Sequence, residues 1–123
     1  KSRRREIVKY YNENFSDIDE LILPYEEKNM DSNFHLYILQ IKDNPNFDRY
    51  DLFSYLQSIN YAPMVHYIPV HLLSFYQNKF GYRRGDYPVS ERFYDRAISI
   101  PLYPSLTDLD VEKVVHDIKN FIR

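Results

Sequence analysis

The chain has 123 residues, with 16 Lys and Arg against 18 Asp and Glu and a formal charge of -2, so it carries no basic field that would gather nucleic acid or an anionic membrane. It has no cysteine, which excludes a disulfide framework, a thiolate nucleophile and a zinc site built on sulfur, and fits a reducing cytoplasm. No apolar run approaches the roughly 20 residues of a membrane-spanning helix, and residues 1–9 lack the apolar stretch of a secretory signal.

One domain is expected from the length. The 13 tyrosines and 8 phenylalanines stand beside only 2 glycines. Either some of these rings face a partner, a ligand or another domain, or they are scattered exposed side chains.

From Arg4 to Phe15, Ile7, Val8, Tyr11 and Phe15 recur at helical spacing, with Lys9, Asn12, Glu13 and Asn14 opposite. Arg3, Arg4 and Arg5 would set three cations against the positive end of that helix, which reads as the interior of a longer helix. The lack of an initiator Met points the same way, so the native polypeptide is expected to continue upstream. Asp17, Asp19, Glu20, Glu26 and Glu27 read as a solvated acidic loop.

Asn33 to Ile41 is rich in aromatic and β-branched residues on both faces, as in a covered central strand. Asp48 and Asp51 predict a capped helix with Leu52, Phe53, Leu56 and Ile59 as its stripe, stopping at Asn60–Tyr61. Ala62 to Tyr67 is a candidate second strand, and Pro69 opens a loop. Leu72 to Tyr76 predicts one helical turn, Gly81 and Gly85 bracket an Arg-Arg turn, and Pro88 begins a helix containing Val89, Phe93 and Tyr94. Ala97 to Leu102 reads as a third strand. Thr107 and Asp110 cap a final helix with Val111, Val114, Val115, Ile118, Phe121 and Ile122 on one stripe.

The pattern implies an α+β fold, a small, mostly antiparallel sheet of about three strands with helices on one face and the other face free to dock. Among the histidines, His66 and His71 are near each other in sequence, but Pro69 forbids the helix that a zinc-protease motif needs, so metal ligation is rejected. His116 falls off its helix stripe and is expected to face solvent; His35 is expected to be a hydrogen-bonded structural residue of a strand. No phosphate-cradling Gly-rich loop, nucleophile elbow or acid/base carboxylate pair is visible. The segment Val65 to Tyr76, with rings to stack on a sugar and imidazoles to bond its hydroxyls, is the best equipped to meet a polar ligand, although an ordinary surface loop explains it equally well.

That segment also opens an ordered series. His66-Tyr67-Ile68-Pro69-Val70-His71-Leu72 is followed by Tyr76, by Gly81-Tyr82-x-x-Gly85-Asp86-Tyr87-Pro88-x-x-Glu91, and by Ser99-Ile100-Pro101-Leu102-Tyr103-Pro104-x-Leu106-Thr107-Asp108. With Arg4-Arg5, Tyr11 and Ser32-x-x-His35-Leu36-Tyr37 upstream, the chain resembles, over nearly its whole length, the C-terminal domain of the DegT/DnrJ-type nucleotide-sugar aminotransferases.

The resemblance implies the small domain of a fold-type I pyridoxal-phosphate enzyme, separated from its own large domain. Within the family it is similar to the transaminases of pseudaminic-acid-like glycans and spore-coat polysaccharide. It further implies a homodimer, glutamate as amino donor and a nucleotide-linked 4-keto-6-deoxy sugar as acceptor. The cofactor-bonding lysine of the family sits in a Ser-x-x-Lys context upstream, and none of Lys1, Lys9, Lys28, Lys42, Lys79, Lys113 or Lys119 has it. This chain is therefore expected to be inactive alone and to hold no pyridoxal phosphate, while His66, Tyr67 and His71 contribute substrate-binding contacts. Arg83 and Arg84 could offer cations to a diphosphate, but a solvated turn is the preferred reading. A free-standing interaction or carbohydrate-binding module with the same fold is the alternative.

Overall fold

The computed structural model, which describes Lys1–Arg123, opens with helix α1, Ser2–Phe15, and all four apolar residues of its stripe are buried. Strand β1, Leu21–Ile22, follows a short turn, and strand β2, Tyr37–Ile41, lies beyond a long loop. Helix α2, Arg49–Ser58, is closed at its start by a capping box in which the Asp48 side chain accepts the Asp51 N–H and the Asp51 side chain accepts the Asp48 N–H. A 3-10 turn at Val70–Leu72 leads to helix α3, Ser74–Phe80, and helix α4, Pro88–Arg96, runs directly into strand β3, Ala97–Ile100. Helix α5, Asp108–Ile122, carries the same kind of box at Thr107 and Asp110.

The sheet is antiparallel with β2 in the centre, between β1 and β3. Tyr37 faces Ile100 and Leu39 faces Ile98 across the ladder, so these four side chains share a face with Ile41. All five are buried in one cluster with Ile7, Tyr11 and Phe15 of α1, Leu52 and Leu56 of α2, and Val111, Val114, Val115 and Ile118 of α5. Each such side chain contributes on the order of 1.5–3 kcal/mol when fully withdrawn from water. The chain thus has the α+β architecture with helices on one sheet face.

Two core tyrosines bring hydroxyls inside and find partners for them. Tyr11 Oη donates to the Pro101 carbonyl at 2.8 Å, and Tyr37 Oη donates to Asn12 Oδ1 at 2.7 Å. Burial pushes the phenol of each well above its ordinary range.

Several expectations are corrected. The strand predicted from Asn33 begins only at Tyr37, because Phe34 has φ 42°, outside the extended region, and His35 is consequently an exposed residue ahead of the strand. The other face of β2 is only half covered, at Ile38 and Gln40. Ala62 to Tyr67 makes no strand. Pro63 lacks an N–H for a ladder, and the segment pairs with β3 through a single bridge, Met64 with Ser99. The third strand ends at Ile100, one residue before Pro101. The turn expected at Leu72–Tyr76 is a 3-10 turn followed by the longer α3, which ends at Gly81 in the left-handed conformation, φ 73°. Glu26 is not a solvated acid. It accepts two hydrogen bonds from Arg5, both 3.1 Å, and one from Ser32 N–H at 2.7 Å, and these hold its carboxyl below the usual range.

Candidate active-site wall

The alternation of β3 places Ser99 on the sheet face opposite Ile98 and Ile100. Ser99 is buried there; the Met64–His66 segment pairs along the free edge of β3, and the His66 ring reaches the Ser99 side chain. Met64 and Ser99 exchange backbone hydrogen bonds of 3.3 and 2.8 Å, and His66 Nδ1 lies 2.7 Å from Ser99 Oγ. The His66–Tyr67 peptide bond is cis. The Tyr67 ring stands edge-on to the His66 ring at 4.6 Å and is 72% exposed. One imidazole is thereby pinned to the sheet and one phenol is presented to solvent.

His71 sits in a different environment. The 3-10 turn after Pro69 tucks it inward, where it is buried. Its ring meets Tyr87 at 4.8 Å and Tyr82 at 6.5 Å, both edge to face. Its Nε2 is sealed from water without a hydrogen-bond partner, and the nearest charged oxygen is Glu91 Oε2 at 3.7 Å. His71, Tyr76, Phe80, Tyr82 and Tyr87 line an open groove of about 470 Å³. Such a basin can stack a ring or a sugar face and bond a hydroxyl at its floor.

Glu91 was not expected to belong to this site, and it is the most buried acid of the chain, 3% exposed. One carboxylate oxygen accepts the Gly85 N–H at 2.6 Å and the other the Tyr87 N–H at 3.1 Å. It therefore closes the turn that begins α4 from below. An acid in the first turn after Pro88 fits a helix start, but its reach back to Gly85, where φ is 102°, depends on the turn's shape.

The two imidazoles are thus held by different partners, Ser99 for His66 and the Glu91–Tyr82–Tyr87 nest for His71. Of the other candidates, His116 is exposed beside Asn120, as expected. Arg84 is exposed, and its guanidinium makes a two-pronged pair with Asp95 at 2.8 and 2.9 Å. Arg83 is exposed at a turn closed by its own N–H on Asp86.

A lysine that bonds pyridoxal phosphate needs a pocket that withdraws its amine from water. Here Lys1, Lys9, Lys28, Lys42, Lys79 and Lys113 are exposed and Lys119 is half-buried on α5. None of the seven is held in such a pocket by this chain's own residues.

The profile of the DegT/DnrJ/EryC1/StrS aminotransferase family matches residues 1–119. The chain belongs to that family. It is similar to the protein MJ1066 of Methanocaldococcus jannaschii, 42% identical over 99% of this chain and 32% of the relative. It is 35% identical to the spore coat polysaccharide biosynthesis protein SpsC of Bacillus subtilis, over 98% of this chain and 32% of the relative. Among solved structures, the Spr1654 protein of Streptococcus pneumoniae in its PLP form superimposes with a TM-score of 0.87 and 27% identity, over 98% of this chain and 31% of that one. The chain spans about a third of the length of these relatives. Sugar aminotransferase chemistry and pyridoxal phosphate are accordingly properties of the family. No helix here is long and apolar enough to cross a membrane.

Proposed function

We propose that this chain is the C-terminal small domain of a pyridoxal-phosphate aminotransferase that moves an amino group, with glutamate as donor, onto a nucleotide-linked 4-keto-6-deoxy sugar for a surface glycan such as spore-coat polysaccharide or a pseudaminic-acid-like sugar. The enzyme works in the cytoplasm as a homodimer, and its partners are its own large domain and the second subunit. The observation that carries this reading is the contrast in coverage, since the family match runs over residues 1–119 while the chain spans about a third of its relatives.

The cofactor, when bound, supplies the electron sink that makes transamination possible. This chain supplies none of that chemistry and instead walls the cleft. His66, Tyr67 and His71 are the substrate-binding residues, the imidazoles and the phenol bonding sugar hydroxyls while neighbouring rings pack on the sugar face. The surface that runs from Tyr67 through Ile68, Val70 and Phe75 to Phe80 is apolar and exposed, which suits a face covered by the large domain and the second subunit.

The test is to mix the chain with pyridoxal phosphate, remove the excess, reduce with borohydride and map the labelled peptides. No stoichiometric lysine adduct is the expected result. One specifically labelled lysine would overturn the assignment and make the chain an enzyme in its own right.

A further inference from the structure

Glu91 and His71 form a buried pair whose chemistry is left incomplete by the hydrogen bonds around it. Both are almost fully withdrawn from solvent, 3% and 7% exposed. Glu91 spends one lone pair of each oxygen on a backbone donor, Gly85 N–H and Tyr87 N–H. Its Oε2 then faces His71 Nε2 across 3.7 Å, beyond hydrogen-bond range in this state, and Nε2 has no other partner.

The neutral imidazole has two tautomers, and this geometry ranks them. A bare lone pair at Nε2 would point at a carboxylate oxygen in a medium of low dielectric, where the repulsion is unscreened. A proton at Nε2 turns the same approach, 3.7 Å here, into an attraction, one that must close by roughly 0.8–1 Å to become a charge-assisted hydrogen bond. Tyr82 and Tyr87 meet the imidazole edge to face, which limits its rotation.

We propose that Glu91 is a positioning residue of the wall: it fixes the His71 proton at Nε2 and so leaves Nδ1 as a lone-pair acceptor for a hydroxyl donor in the aromatic groove. The ligand class that suits such an acceptor beside Tyr76, Phe80, Tyr82 and Tyr87 is a polyhydroxylated ring. This deepens the reading of the 66–71 segment as substrate-binding and rests on it for the ligand, but the tautomer stands on the geometry alone. Glu91 does this work from beneath, because its carboxylate is aimed at the imidazole and at two backbone amides.

The experiment is long-range nitrogen–proton correlation NMR of the imidazoles in this chain, at a pH where His71 is neutral. In the unmodified chain, His71 is expected to show a protonated-type shift at Nε2 and an unprotonated-type shift at Nδ1. A proton on Nδ1, or an even mixture of tautomers, overturns the proposal without any variant being needed. Glu91→Gln should move the population toward a mixture while His66, bound to Ser99, keeps its own pattern, and Glu91→Asp should partly restore the Nε2 form. An unchanged His71 pattern in a folded Glu91→Gln chain also overturns it. The ligand reading is tested separately by titrating dTDP-glucose and following the 66–71 amides. If none of them moves while the tautomer responds to Glu91, substrate contact fails and the positioning role stands.

Discussion

Tyr61 Oη donates a 2.8 Å hydrogen bond to Asp117 Oδ2, tying the segment just beyond α2 to α5, and Lys113 Nζ meets the same oxygen at 2.6 Å. Burial alone would raise the Asp117 carboxyl, but the two donors outweigh it and hold the group below the usual range. A carboxyl lowered in the folded state stabilises the fold above its unfolded value, about 3.9, and that contribution is lost as pH falls through the folded value. Asp117→Asn should therefore lower stability at neutral pH by on the order of 1 kcal/mol, since Lys113 is mostly solvated. Thermal melts at neutral and at acid pH check this, and the deficit should shrink in acid. A deficit of equal size at both would mean that the ionised form plays no part.

At the alkaline end the sign reverses. Burial first, and then the bond to Asp117, push the Tyr61 phenol up to about 12. Tyr11 and Tyr37 are raised further by burial. Phenols raised in the folded state stabilise it fully below their unfolded value, about 10, and this is lost as pH rises through the folded values. Tyrosinate absorbance from these three residues and loss of helical circular dichroism should thus appear together, above about pH 10. Complete phenol ionisation with the helices intact would contradict it.

Tyr11→Phe removes a single oxygen and leaves the Pro101 carbonyl without its donor, while the rings of Phe15 and Tyr37 still pack against the new phenyl. The expected loss is about 1–3 kcal/mol, from a buried acceptor left unpaired. Urea titration measures it. A neutral result would mean that water reaches the carbonyl in place of the phenol.

Ser99→Ala releases the His66 ring from β3. The bond to His66 disappears and the Met64–Ser99 backbone pair remains, so the global loss should be about 0.5–1.5 kcal/mol. The larger effect is expected locally, as faster amide exchange from residue 65 to residue 68, read by hydrogen-exchange NMR. Unchanged exchange there would show that the backbone pair alone orders the segment.

What could be read from the sequence is what covalent spacing dictates. Asp48 with Asp51, and Thr107 with Asp110, stand at the offset of a reciprocal cap, and both boxes form. The stripes of α1 and α5 followed from period alone, and the turn bracketed by Gly81 and Gly85 from the glycines themselves. What could not be read depends on contacts between distant segments. Leu21–Ile22 is too short to show any alternation and becomes a strand only because β2 is beside it. Glu91 looks like any acid at a helix start, and its burial follows from the turn it closes. His66, Tyr67 and His71 were picked out by residue type, but which partner holds each imidazole, Ser99 or Glu91, could not be read, although both residues stand in the quoted series.

The pairing of Gln40 with Ala97 and of Ile38 with Ser99 has a consequence for how this chain can change length. A strand has a two-residue side-chain period, so one residue inserted or deleted between Arg96 and Ile100 would turn Ser99 into the core, turn an isoleucine out, and lift His66 from its anchor in the same step. The long connection from residue 23 to residue 36 has no such parity. Genetic drift in length should therefore be absorbed there, while the four residues of β3 behave as a ratchet with no intermediate tooth, tolerating substitution far more readily than any change in count.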